Sequence, residues 1–218
     1  MRRVFADRAE AGRALADALA GRRAAPDTLV LGLPRGGVPV AFEIARALDL
    51  PLDVLVVRKL GLPWQPELAM GAIASGGALV VNEQVLRYLP ADSDALEQVR
   101  VREQAELERR ERDYRGDRPP LAMAGRTGIL VDDGLATGAT MEAAVRALQT
   151  LGAKHVVVAV PVASPEARDR IAAVADEVVC LAAPEWFSAV GQWYRDFGQT
   201  TDDEVRDLLA RAHATLTT

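Results

Sequence analysis

The chain has 218 residues, half of them hydrophobic and 26% charged, with 26 lysines and arginines against 31 aspartates and glutamates for a formal net charge of −5. That composition fits one soluble globular domain and excludes a disordered chain, which lacks the apolar surface to offset its ordering entropy. It also excludes a uniformly attractive field, so neither nucleic acid nor an anionic membrane is expected as a partner. Cys180 is alone, which rules out an intrachain disulfide and a Cys-rich zinc site; its apolar run 178–181 reads as holding a buried structural thiol. His155 and His213 match no metal-ligand spacing. The start, Met1-Arg2-Arg3, leads into a charged, alanine-rich stretch with no apolar signal core. No run approaches the ~18 apolar residues of a spanning helix, so a cytoplasmic protein is expected.

In chain order, Ala11, Leu15, Ala18 and Leu19 fall at helical spacing over 8–19, with Asp7 as an N-cap. The apolar run Leu29-Val30-Leu31, closed by Gly32, reads as a buried strand. A helix over 38–48 and a second strand over 52–57 complete a βαβ unit. Residues 62–81 are broken by Pro63, Pro66, Gly71, Gly76 and Gly77, and 78–81 is expected to be one arm of a hairpin turning at Gly76-Gly77. The Glu/Arg-rich stretch 92–115 is expected to be an exposed helix of alternating charge. Beyond Pro119-Pro120 come a strand over 127–131, a helix over 141–151 stopped by Gly152, a strand over 155–160, a helix over 165–174 and a strand over 177–181. The tail carries Trp186, Phe187, Trp193, Tyr194 and Phe197, then a last helix over 202–212. Alternating βα units with continuous apolar strands predict a parallel sheet covered on both faces.

The chemistry concentrates where strands end. In Ile129-Leu130-Val131-Asp132-Asp133-Gly134-Leu135-Ala136-Thr137-Gly138-Ala139-Thr140-Met141, an apolar strand runs into two acids, then a Gly- and Thr-rich turn, then a helix. Such a turn offers unpaired N–H groups and the positive end of the helix dipole to a phosphate, and ligands of open α/β sheets bind beyond the carboxyl ends of strands. The two acids are placed to accept hydrogen bonds from a diol or to approach a metal. A second loop, Gly32-Leu33-Pro34-Arg35-Gly36-Gly37-Val38, also joins a strand to a helix; its paired glycines expose amides and Arg35 adds a forked donor. A third segment, Val57-Arg58-Lys59-Leu60-Gly61-Leu62-Pro63, puts two cations at what is expected to be the end of the second strand.

These segments resemble the type I phosphoribosyltransferases. The thirteen-residue stretch resembles their signature for 5-phosphoribosyl 1-pyrophosphate (PRPP), the Arg-Gly-Gly loop looks like their pyrophosphate loop, and Arg58-Lys59 is similar to the Arg-Lys of the adenine-type enzymes. The whole-chain pattern looks closest to a bacterial branch of predicted phosphoribosyltransferases. The resemblance implies a single α/β domain, an open and mainly parallel sheet flanked by helices. It has a core over 28–181, a mobile loop or hairpin and inserted charged helix over 62–118, and a C-terminal hood over 182–218. It implies transfer of the 5-phosphoribosyl group from PRPP to a small nitrogenous base with release of pyrophosphate, with Mg²⁺ as cofactor and a homodimer as the assembly. On this resemblance Asp132 and Asp133 take the ribose and the metal; Ala136, Thr137, Gly138, Ala139 and Thr140 take the 5′-phosphate; and Arg35, Gly36, Gly37, Arg58 and Lys59 face the pyrophosphate. Arg35 and Lys59 would assist departure of the leaving group, Glu67 is the nearest candidate base, and Trp186 and Phe187 would stack on the acceptor.

The acceptor itself is not written in the chain. Lys59 and Lys154 are the only lysines, so the loop lysine of orotate enzymes and the late lysine of 6-oxopurine enzymes have no counterpart. Ala136 stands where the latter carry an Asp base, and the Gly-Asp-rich C-terminal segment of uracil enzymes is absent. The alternative reading is a regulatory protein of the same fold that binds PRPP or a nucleotide without turnover. A dinucleotide oxidoreductase and a Walker-type NTPase are excluded because neither Gly-rich fingerprint is present.

Overall fold

The computed structural model describes residues 4–90 and 93–216. Residues 1–3, Asp92 at the expected start of the charged helix, the end of the tail at 217–218 and the side chain of Glu67 lie outside the described residues. The chain order is α1 (Arg8–Ala18), β1 (Thr28–Gly32), α2 (Gly37–Leu48), β2 (Leu52–Val54), β3 (Val57–Leu62), β4 (Gln65–Ala74), β5 (Ala78–Val81), α3 (Glu83–Leu86), α4 (Ala95–Arg115), β6 (Thr127–Val131), α5 (Ala139–Thr150), β7 (His155–Val160), α6 (Pro165–Ala172), β8 (Glu177–Cys180) and α7 (Asp202–Leu216). Asp7 caps α1 as expected, its carboxylate accepting the Glu10 N–H at 2.7 Å.

Five strands form a parallel sheet in the order β2-β1-β6-β7-β8. Alternate residues of each strand point to opposite faces, so each face has its own core. Val30, Ile129, Val131, Val157 and Ala159 pack with Leu15 of α1, Ile44 and Leu48 of α2 and Leu209 of α7. Leu29, Leu31, Leu130, Val156, Val158 and Val160 pack with Val145 and Leu148 of α5 and Ile171 of α6. A run that is apolar at every position is what a strand covered on both sides requires.

The expected second strand over 52–57 is two strands in two sheets. β2 ends at Val54, and β3 begins at Val57 in a separate antiparallel sheet, β3-β4-β5. The crossing is fastened by backbone: Leu55 N–H donates to Gly32 O at 3.1 Å, Ser75 N–H donates to Val56 O at 2.9 Å, and Val56 N–H donates to the buried Ser75 Oγ at 3.0 Å. Apolarity is continuous through Val56 because both segments are buried, and this hides the change of sheet. Arg58 and Lys59 therefore open β3 instead of closing β2. The hairpin turn is at Gly76-Gly77 as expected, both with φ of 80°. Cys180 is half-buried, not fully buried, and burial raises its thiol pKa.

The charged helix α4 lies along β3, sending Val99, Leu107 and Tyr114 into the core and laddering the rest of its surface with pairs such as Glu97–Arg100 and Glu106–Arg110. Its last residue, Arg115, is buried and binds Asp53 of β2 through contacts of 3.0–3.2 Å while donating to Pro119 O at 2.8 Å. Removing Arg115 leaves the buried Asp53 with only the more distant Arg118, 3.7 Å away, as a counter-charge. Arg115→Ala is therefore expected to lower unfolding free energy by about 3–5 kcal/mol. The double variant Arg115→Met with Asp53→Leu is expected to recover most of it. Urea denaturation of the three proteins checks this; equal losses in single and double variants would refute it.

Candidate active site

The tips of β1 and β6, paired side by side, carry the two loops singled out in the sequence. The β1 loop folds back on the β6 tip: Leu33 N–H donates to Val131 O at 2.9 Å and Gly37 N–H to Leu33 O at 3.0 Å, and the Pro34–Arg35 peptide is cis. The two glycines are what allow it to lie there. A Cβ on Gly36 would collide with the Asp133 carboxylate. A Cβ on Gly37 would fall 2.5 Å from Val131 O and 2.9 Å from Asp132 Cα. The amide-rich loop and the twin acids are thus in direct contact.

Asp132 and Asp133 are half-buried side by side. The Asp133 N–H donates to Asp132 Oδ1 at 2.8 Å. Burial, with Asp133 beside it, pushes the Asp132 carboxyl well above the usual carboxylate range; burial also raises Asp133, and Arg8 opposes that rise. Two adjacent carboxylates partly withdrawn from water favour a counter-cation or a set of donors. The donor set suits Mg²⁺, a hard cation commonly held by one or two carboxylates together with substrate phosphates and water. Among the described residues no cluster of three or more acids, histidines or cysteines is gathered, so further ligands would be substrate oxygens and water.

Beyond the acids, Gly138 (φ 75°) is the N-cap of α5, and Ala136, Thr137, Ala139 and Thr140 lie around it, Thr137 among the exposed residues of the turn. The first N–H groups of α5 have no helical acceptor, Ala139 N–H lying 3.4 Å from Thr137 Oγ1, and they stand at the positive end of the helix dipole. Ser164 steadies this loop: its hydroxyl donates to Ala136 O at 2.8 Å while accepting the Ala167 N–H at 3.0 Å.

The remaining candidates separate. Arg35 lines a cavity of about 340 Å³ with Arg109, Arg110 and Tyr114 of α4 and with Asp202. Burial and the hydrogen bond to Asp202 push the Tyr114 hydroxyl up to about 12. Arg58 and Lys59, being consecutive on a strand, point to opposite faces of β3. Arg58 donates from Nε to Glu103 of α4 at 2.9 Å, whereas Lys59 lines a groove with Ala139 and Thr140. The pair therefore does not converge on one point. Glu67 falls in β4, its side chain outside the described residues. Trp186 is 82% exposed, and Phe187 is half-buried against the cluster of Phe5, Trp193 and Tyr194.

The family model described as phosphoribosyl transferase domain matches residues 8–197. The chain belongs to the phosphoribosyl transferase domain family. Two Mycobacterium tuberculosis proteins carrying a provisional phosphoribosyl transferase name, from strains CDC 1551 and H37Rv, are each 52% identical over 211 residues, 97% of this chain and 47% of theirs. The chain thus spans about half the length of these curated relatives. The crystal structure of TT1426 from Thermus thermophilus is 51% identical with a TM-score of 0.86, covering 97% of this chain and 99% of that one.

In this phosphoribosyl transferase domain the acid pair has a neighbour that no motif reveals. Arg8, the first residue of α1, places Nε and Nη2 each 2.8 Å from Asp133 Oδ2, donates to Gly198 O at 2.7 Å and stacks 4.1 Å over the Phe197 ring. Tyr194 donates its hydroxyl to Asp133 O at 2.6 Å, and Val190 packs over Gly134. The C-terminal segment is thereby fastened across the β6 tip. The aromatic signal in the tail is visible in the sequence; the hydrogen bond from Arg8 to Gly198 beside it joins residues 190 apart.

The close approach of the two loops gives a test by stability alone. Gly36→Ala is expected to cost about 1–3 kcal/mol, as overpacking typically does, and Asp133→Ala in the same chain is expected to relieve it, giving a strongly non-additive cycle. Gly37→Ala meets backbone and is expected to cost at least as much with no relief from Asp133→Ala. Thermal and urea melts of these variants decide it, and strict additivity at Gly36 would refute the contact.

Proposed function

We propose that the protein transfers the 5-phosphoribosyl group of PRPP to a small nitrogenous base, releasing pyrophosphate, with Mg²⁺ as cofactor. The observation that carries this reading is the contact between the Gly36-Gly37 loop and the Asp132-Asp133 tip, with the Ala136–Thr140 loop following in the same turn. A sugar with phosphoryl groups at both ends needs those three elements adjacent: amides for pyrophosphate, acceptors for the ribose diol and a helix start for the 5′-phosphate.

In the reaction a nitrogen lone pair of the base forms the bond to C1, the C1–O bond to pyrophosphate breaks, and the proton on that nitrogen is lost. Developing positive charge on the sugar and negative charge on the leaving group make electrostatic stabilisation and alignment the main contributions. Arg35 and the amides of Gly36 and Gly37 would face the departing pyrophosphate, and Lys59 would approach from β3. Asp132 and Asp133 would orient the ribose, Asp133 being held by Arg8. Mg²⁺, held by the same two acids and by substrate oxygens, would neutralise phosphoryl charge.

One observation favours the alternative of a PRPP-binding regulator: Arg58 is committed to Glu103 of α4 and not to the loop of Arg35. Turnover separates the two readings. Asp132→Asn with Asp133→Asn is expected to abolish calorimetric PRPP binding while the protein stays folded. The parent is expected to release pyrophosphate from PRPP in a Mg²⁺-dependent way across a panel of purines, pyrimidines and other nitrogen heterocycles. Unchanged affinity in the double variant refutes the site; tight binding without release across the panel favours the regulator.

A further inference from the structure

A second groove, of about 790 Å³, lies beside the phosphate loop. The β3-β4-β5 sheet forms one wall and the first turns of α5 the other, with α6 reaching one end. Lys59 on β3, Arg87 after α3, Arg146 on α5 and Arg170 on α6 all line it. Two acids do so as well, Glu83 and Glu142. Four separate parts of the fold thus bring cations to one place in a chain whose net charge is −5. Of these four cations only Lys59 has a place in the transfer site described above.

The acids do not cancel this field. Arg146 is 2.9–3.1 Å from Glu142, and Arg87 stands 3.9 Å from Glu83 with both side chains largely exposed. Exposed helical pairs of this kind are weak and exchange readily, and a phosphate, a stronger bidentate acceptor for guanidinium, competes well for them. The sheet wall is of another character. Val57, Ala72 and Val80 form an apolar strip on it beside Lys59. A cationic rim over an apolar strip matches a ligand that is anionic at one end and flat and less polar at the other. At the near end, Ala139 and Thr140 open the groove onto the phosphate loop.

We propose that this groove binds a nucleoside polyphosphate, its phosphates on Arg146 and Arg170 and its nucleoside against the Val57–Val80 strip, as a site separate from the acid pair. The site does not require the transfer reaction, so its test stands apart from that of the proposed function. The experiment is calorimetric titration at low ionic strength with ATP, GTP, inorganic tripolyphosphate and adenosine as probes. The proteins are the parent chain, Arg146→Gln with Arg170→Gln, Arg35→Gln, and Asp132→Asn with Asp133→Asn. The expected result is that ATP or GTP binds the parent, the Arg35→Gln variant and the acid double variant with similar affinity. Arg146→Gln with Arg170→Gln is expected to weaken it by about tenfold or more, the loss of two charge-assisted contacts. Tripolyphosphate and adenosine are each expected to bind more weakly than the nucleotide, since each lacks one half of the match. A thermal melt verifies that the Arg146/Arg170 variant remains folded, as the exposure of both residues implies. Absence of nucleotide binding by the parent overturns the proposal. So does loss in Arg35→Gln with retention in Arg146→Gln/Arg170→Gln, which would put the phosphates on the β1 loop. Tripolyphosphate binding as tightly as ATP and GTP overturns the role of the apolar strip.

Discussion

The site depends on one packing constraint: two consecutive residues without Cβ atoms lie against two consecutive aspartates. With Gly36 on the Asp133 carboxylate and Gly37 on the Val131 carbonyl, the β1 loop and the β6 tip become one surface. Nothing larger fits there without moving backbone or an acid. The constraint is local, but it follows from the sheet. β1 and β6 are in register from Thr28↔Thr127 to Gly32↔Val131, so both strands end at the same height and their loops must meet. Main-chain amides, which are fixed by the fold, then lie next to carboxylates that are fixed by the same strands. Preorganised dipoles of this kind cost no rearrangement when charge develops.

The electrostatics follow from that geometry. Two carboxylates side by side and out of bulk water favour compensation, and part of it is built in through Arg8. Because Arg8 also holds Gly198 O and stacks on Phe197, the charge that steadies Asp133 is the same charge that fastens the C-terminal segment. The acid pair and the segment across it are therefore coupled through one guanidinium. Asp132 accepts the Asp133 N–H and feels Arg8 at longer range, and its ionisation is the one that burial disfavours more strongly. Elsewhere, acids and bases alternate along α4, whose ladders of glutamate and arginine keep a 21-residue helix solvated on one side while Val99 and Leu107 bind it to the core.

Most of the fold is legible in the sequence. The strands ending in Gly32, Val131 and Val160 and the helices that follow the first two of them, α2 and α5, follow from apolar runs, periodicity and their Gly or Pro boundaries and differ from expectation by a residue or two, whereas the short α3 is not expected and α4 starts three residues later than expected. The break between β2 and β3 is not legible, because the two residues that cross from one sheet to the other, Leu55 and Val56, are as buried as the strands they join. A pattern of burial carries no information about which sheet does the burying. The same break redirects Arg58 and Lys59. Read as the end of β2, they would share one ligand; as neighbours at the start of β3 they serve opposite faces, one tying α4 and the other lining the groove beside α5.

The candidate site divides in the same way. Residues within one loop, such as Asp132 with Asp133 and Ala136 to Thr140, are adjacent in space because they are adjacent in sequence, and motif spacing finds them. Arg8, Ser164, Tyr194 and the arginines of α4 reach the site from distant parts of the chain, and no local period encodes that. Trp186 shows the converse: the resemblance makes it a candidate for stacking on the acceptor, yet it is largely exposed, while Tyr194 and Phe197 a few residues on are the rings that meet Asp133 and Arg8. Aromatic content in the tail thus marks a segment that covers the strand tips, but which ring faces inward is set by the 3₁₀ turn Val190–Trp193 and by the pairing of Phe5 with Tyr194. Arg8 of the first helix reaches Asp133 and is itself covered by Phe197, so the site is complete only when the first helix and the last aromatic segment have both packed onto the sheet.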